Sequence, residues 1–151
     1  MTLSERLEAA MRDAMRARDE MRTQTLRMAM AAAHNQRIAK RRDLTDDEVV
    51  EVLTRQVKQR RESIAMYRDA GRDDRAAAEE AEATILAEFL PQQLSKPEVE
   101  EMARAAIADT GATAPGDLGR VMGALSPRTK GRADGKLVSD VVRRLLAGGS
   151  A

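Results

Sequence analysis

The residues best suited to chemistry lie between Asp117 and Gly135. Asp117-Leu118-Gly119-Arg120-Val121-Met122-Gly123-Ala124-Leu125 sets two glycines four positions apart inside an apolar pattern of helical period, and Lys130-Gly131-Arg132-Ala133-Asp134-Gly135 follows as a glycine-spaced basic loop. A glycine in a helix interior costs about 1 kcal/mol relative to alanine, so a helix that carries both Gly119 and Gly123 implies a close approach to its backbone. Close packing of another helix meets that demand, and so does a nucleic-acid backbone. Arg120 stands between the glycines on a different face, which lets both readings hold together. Arg128, Lys130, Gly131, Arg132 and Lys136 surround the start of a helix, where free N–H groups and the positive end of the dipole favour an anion such as phosphate. The plain alternative is an ordinary solvated cationic loop. Arg143 and Arg144, near the end of the last helix, are explained as well by compensation of its dipole.

Covalent and acid–base catalysis find little material elsewhere. One histidine, His34, and no cysteine are present, which excludes disulfides, thiolate nucleophiles and the usual zinc spacings. His34 lies mid-helix beside Asn35 and reads as a surface or packing residue rather than as the base that a serine nucleophile needs. Asp46-Asp47-Glu48, Asp73-Asp74 and Glu79-Glu80 begin helices or lie on them. Negative charge in a first turn complements the dipole, which accounts for these clusters better than a magnesium site does. No Walker-type or dinucleotide-binding glycine pattern occurs. The expectation is therefore no catalytic residue, no metal and no cofactor.

Of the 151 residues, 42% are hydrophobic, yet the aromatics are Tyr67 and Phe89 alone, so a core must come from Ala, Leu, Met, Val and Ile. That is the composition of a helical bundle. Net charge is +1 from 26 basic and 25 acidic residues, but the distribution is uneven. Met21 to Arg42 holds Arg22, Arg27, Arg37, Lys40, Arg41 and Arg42 with no acid, +6, and Leu118 to Ala151 carries seven bases against Asp134 and Asp140, +5. With two aromatics, reading of bases by stacking has little to work with, so any RNA binding must recognise phosphates and folded shape. The amphipathic, charged start and the lack of a membrane-length apolar run lead to the expectation of a soluble cytoplasmic protein.

These residues need helices to position them. Thr2-x-x-Glu5 has capping-box spacing and opens a helix to about Arg18; a second runs from about Glu20 to Arg42. Thr45-x-x-Glu48 opens a third, with Val49, Val52, Leu53, Val57, Ile64 and Tyr67 on one face and Gly71 as its stop. The second and third, joined by a short turn near Asp43 and Leu44, are expected to form a long antiparallel hairpin. A fourth helix runs from about Asp73 to Phe89 and ends before Pro91, the expected domain boundary. Ser95-x-x-Glu98 opens a helix closed by Gly111, Pro115 starts another that Ser126-Pro127 ends, and Asp134 caps the last, whose face is Leu137, Val138, Val141, Val142, Leu145 and Leu146. The residues from Gly148 onward are expected to fray. The fold class is all-α, a four-helix domain over 1–90 followed by a three-helix tail domain over 91–151.

The run from Asp117 to Leu125 with Lys130 to Val138 resembles the tail domain shared by YqeY-like proteins and the B subunit of the tRNA-dependent glutamine amidotransferase. Lys58-Gln59-Arg60-Arg61-Glu62-Ser63-Ile64, Tyr67, Ala70-Gly71-Arg72 and Phe89-Leu90-Pro91-Gln92-Gln93-Leu94 are similar to the YqeY family and absent from that subunit. In the enzyme, ammonia release and phosphorylation belong to other domains and subunits, and the tail is associated with handling tRNA. The resemblance thus implies a non-catalytic module that associates with tRNA, an amidotransferase or another component of aminoacyl-tRNA synthesis. A share in carbon–nitrogen ligase activity with glutamine as amido donor is what the family label implies, and nothing in this chain supplies that chemistry. A different class of function, a protein adaptor whose hairpin offers an Ala- and Met-lined groove to a partner helix, competes with it. Which partner, and whether the chain self-associates, stay open at the level of sequence.

Overall fold

The computed structural model describes residues 1–148, which form seven α-helices and one 3-10 turn, with no strand among the described residues. Of the expected frayed tail, Gly149, Ser150 and Ala151 lie outside the described residues. The helices are α1 (Leu3–Arg16), α2 (Glu20–Lys40), α3 (Asp46–Asp69), α4 (Asp73–Ala87), α5 (Lys96–Thr110), α6 (Leu118–Thr129) and α7 (Gly135–Leu146), and the 3-10 turn is Pro115–Asp117. Two compact units divide the chain, Met1–Leu90 and Pro91–Ala151.

Local signals set where the helices begin. Thr2, Thr45 and Ser95 each cap through the side chain while the glutamate three residues on returns a bond to the cap N–H, satisfying donors that the helix itself leaves unpaired. The Leu3 N–H also donates to Asp46 Oδ1 at 3.0 Å, tying the starts of α1 and α3 together. Gly111 closes α5 with φ 68°, a conformation that costs glycine nothing.

In the first unit, Leu3, Leu7, Leu26, Ala29, Val49, Leu53, Val57, Leu86 and Phe89 make a continuous core. Arg6 and Arg22 lie over the Phe89 ring at 6.0 and 5.9 Å, a cationic cover for the largest apolar side chain of the unit. The broadest helix pairings are α3 with α4 and α1 with α2, whereas α2 and α3 meet over less surface than the expected hairpin required. The reason lies in α2, which buries Thr23, Thr25, Leu26 and Ala29 near its start and offers α3 little bulk beyond them. In the second unit, α5, α6 and α7 enclose Val99, Ala103, Val121, Leu125, Val138, Val141 and Val142.

Two boundaries depart from the sequence reading. Pro115 opens the 3-10 turn, and α6 itself begins at Leu118. Ser126-Pro127 does not end α6, which continues through Pro127 to Thr129. A proline ring clashes with the carbonyl four residues back and removes one ladder bond; here that residue is Gly123, and Pro127 already stands in the last turn. Little is lost there.

The turn between α2 and α3 is held by Glu48, whose carboxylate takes bonds from Arg42 at 2.8 Å and Lys40 at 2.7 Å. Hydrogen bonds from these two cations lower its carboxyl from 4.5 to about 2. A carboxyl depressed by folding stabilises fully above its unfolded value and loses that contribution as pH falls through the folded one. Denaturation across a pH series is therefore expected to show a loss of stability between about pH 4.5 and about pH 2 that is shallower in Glu48→Gln, which keeps the capping box and removes the charge.

Candidate nucleic-acid interface

Val121, Leu125 and Thr129 turn one side of α6 into the core, so the opposite arc, Gly119, Arg120, Gly123, Ala124, Pro127 and Arg128, faces outward. Apart from the adjacent residues and the backbone of α6 itself, no heavy atom lies within 4 Å of where a Cβ would stand at Gly119 or Gly123, and both residues are exposed. Close packing inside the unit is therefore not what they serve. They leave a strip of uncovered helix backbone, and Pro127 removes the donor that the Gly123 carbonyl has in a regular ladder. Arg120 and Arg128, two turns apart, flank the strip.

The basic residues around it have different commitments. Arg120 Nη2 stands 3.3 Å from Asp117 Oδ1. Asp117 is itself fixed, accepting from the N–H groups of Thr113 at 2.9 Å and Ala114 at 3.1 Å, and these bonds hold its carboxyl below the usual range. Arg132 is half-buried and works as a clasp: its Nε donates to the Gln92 carbonyl at 3.1 Å, its Nη1 to the Arg128 carbonyl at 3.4 Å, and its own carbonyl accepts from Leu94 N–H at 2.8 Å. Gly131 is buried with φ 73°, and its carbonyl accepts from Gln93 Nε2 at 2.8 Å. The start of α7 is already capped by Asp134, whose Oδ1 accepts from Lys136 N–H at 3.2 Å. The cap expected at Asp134 is thus in place, and an anion at this helix start would share it with a carboxylate.

Arg128, Lys130 and Lys136 keep exposed side chains, and neither Arg128 nor Lys136 has a carboxylate partner among the described residues. Arg143 pairs with Asp140 at 3.6 Å and Arg144 with Glu100 at 2.8 Å, a bond that also lowers the Glu100 carboxyl. The structure thus brings Arg128, Gly131 and Arg132 into one hydrogen-bonded corner, sets Arg120 with the glycines along α6, and leaves Lys136 on the first turn of α7.

The model of the family described as Yqey-like protein matches residues 4–146. The chain belongs to this family. No curated protein matches it. The match runs through both units, so the strip on α6 and the clasp beside it are parts of a YqeY-like chain along its whole length rather than of an isolated tail.

Elsewhere in the YqeY-like chain the charges are largely spent on structure. In the first basic zone, Arg22 pairs with Glu88, Arg37 with Asp43, and Lys40 and Arg42 with Glu48. His34 is exposed in a groove of about 360 Å³ with Ser4, Glu5 and Glu8, and no hydrogen bond orients its ring among the described residues, so it lacks the partner that a general base requires. Asp46, Asp47 and Glu48 occupy the first turn of α3, and Asp73 and Asp74 that of α4. No group of three or more His, Asp or Glu residues is arranged to hold a metal ion among the described residues, nor is any helix of theirs long and apolar enough to cross a membrane.

Sequence reasoning missed Asp117, Gln92 and Gln93 as positioning residues. Asp117 was legible as the residue that begins the glycine pattern, and Gln93 stands in the motif Phe89 to Leu94, but their partners are set by the fold of the loops.

Proposed function

We propose that this YqeY-like protein is a non-catalytic module that associates with tRNA, alone or beside a tRNA-dependent amidotransferase, through the outer face of α6 and the corner that follows it. The observation that carries the reading is the pair Gly119 and Gly123, exposed on a helix with no neighbour to justify them and flanked by Arg120 and Arg128. Bare backbone admits a sugar-phosphate chain closely, and the two guanidiniums supply phosphate contacts without base readout. The resemblance of Asp117 to Val138 to the amidotransferase tail favours tRNA over other polyanions. Glutamine-dependent amidation, where it occurs, belongs to a partner's active site.

Binding of tRNA, measured by filter retention or fluorescence anisotropy over a range of salt concentrations, is expected to weaken steeply as salt rises. Arg128→Ala and Lys136→Ala are each expected to lower the slope of log affinity against log salt by about 1, uniformly across tRNA species. Arg132→Ala weakens binding by loosening the corner, with a loss of thermal stability that the other two do not share. Absence of tRNA binding at low salt removes the proposal.

A further inference from the structure

The outward side of α2 carries a seam that the fold of this chain does not use. Met21, Gln24, Met28, Ala31, Asn35 and Ile38 all face away from the buried residues of the helix, and the three largest are 46%, 56% and 60% exposed at Met21, Met28 and Ile38. Their spacing alternates three and four residues without interruption. That is the seven-residue repeat of a two-stranded coiled coil, in which the first and fourth positions of each heptad meet a partner helix. Scattered apolar side chains on a surface need no explanation, but a row of this register does.

We infer that α2 joins a second copy of this chain in an antiparallel, two-fold symmetric helix pair. Reversal makes the seam complementary to itself. With the two-fold axis between Met28 and Ala31, Met21 meets Ile38 of the second copy, Gln24 meets Asn35, and Met28 meets Ala31: apolar against apolar, amide against amide, large against small. A parallel pair would set Met28 on Met28 and Ala31 on Ala31, crowding one layer and leaving a gap in the next.

Charge selects the same direction. From Met21 to Arg42 the chain holds six bases and no acid, so parallel copies would align like charges along their length. Antiparallel copies place the Asp19-Glu20 start of each helix beside the Lys40-Arg41 end of the other, with the dipoles opposed. The opposed ends then bring Glu20, the first residue of α2, to Arg41 of the second copy, the left-handed cap just beyond that helix's last turn. Neither side chain has an ion-pair partner within the described residues of its own chain. An isologous contact of this kind closes on itself and gives a dimer rather than a filament.

Sedimentation equilibrium and light scattering on the full chain test the pairing. A monomer–dimer equilibrium is expected, and Met28→Lys is expected to raise its Kd at least ~100-fold, because each dimer carries the residue twice in the seam. Met28 is exposed in the monomer, so helix content by circular dichroism should be unchanged. Glu20→Arg and Arg41→Glu are each expected to weaken the dimer roughly fivefold, and the two combined in one chain to restore it, since the exchanged charges still face each other. A chain that stays monomeric at high micromolar concentration, a dimer indifferent to Met28→Lys, or a charge exchange without rescue overturns the inference. None of these outcomes depends on whether tRNA binds.

Discussion

Changing Gly119 and Gly123 together to alanine is expected to make the C-terminal unit more stable and, under the proposed function, to weaken binding of tRNA. Both glycines have helical backbone and open space where a Cβ would go, so nothing opposes a gain in helix propensity of about 1 kcal/mol at Gly123 and a smaller one at Gly119, the second residue of α6. For a unit of this size the combined gain raises the melting temperature by roughly five to ten degrees, readable by calorimetry of the full chain. The two methyl groups also thicken the strip at the point where a phosphate backbone would lie, and tRNA affinity is expected to fall about tenfold or more, a cost on the order of 1.4 kcal/mol. Raised stability with unchanged affinity would take away the main support for the interface on α6. A stability gain bought with lost binding is the pattern of a site held by function rather than by folding.

Glu82→Ala is expected to cost the first unit about 2–3 kcal/mol in urea denaturation, a large loss for an acid that is itself partly exposed. Its partner gives the reason. The Arg60 side chain is only 7% exposed between α3 and α4, with Nε 3.1 Å from Glu82 Oε2 and Nη1 3.1 Å from Gln56 Oε1. Removing the carboxylate leaves a buried guanidinium with one amide contact and no opposite charge. Glu82→Ala combined with Arg60→Met, which fills similar volume without charge, is expected to recover most of the loss. If Glu82→Ala stays within about 0.5 kcal/mol of the parent, the pair is a surface contact in effect and Arg60 finds water.

What the sequence makes legible here is mostly short in range. Thr2 with Glu5, Thr45 with Glu48 and Ser95 with Glu98 need only three residues of spacing, and the helix starts they mark are where they should be. The all-α class follows from the same periodicities. Packing partners do not, because an apolar face states that a helix is covered and not by what; hence α3 turns to α4 more than to α2. Pro127 shows the same limit, since its cost depends on how near the helix end it falls and on Gly123 four residues earlier. At the candidate site, the glycine spacing leaves packing and binding both open, and only the fold shows that no neighbour within the unit fills the space beside Gly119 and Gly123. The commitments of the basic residues divide in the same way. Arg120 with Asp117 is a pair three residues apart, whereas Arg144 with Glu100 spans 44 positions and Arg132 with Gln92 spans 40.

That clasp also orders events in time. Gln93 and Leu94 find their acceptors on Gly131 and Arg132, 38 residues further along the chain. As the polypeptide emerges from the ribosome, Met1–Leu90 can bury its core while Gln93 and Leu94 still lack their acceptors on Gly131 and Arg132. The C-terminal unit therefore closes like a buckle, its first residues fastened only after the last loop has been made.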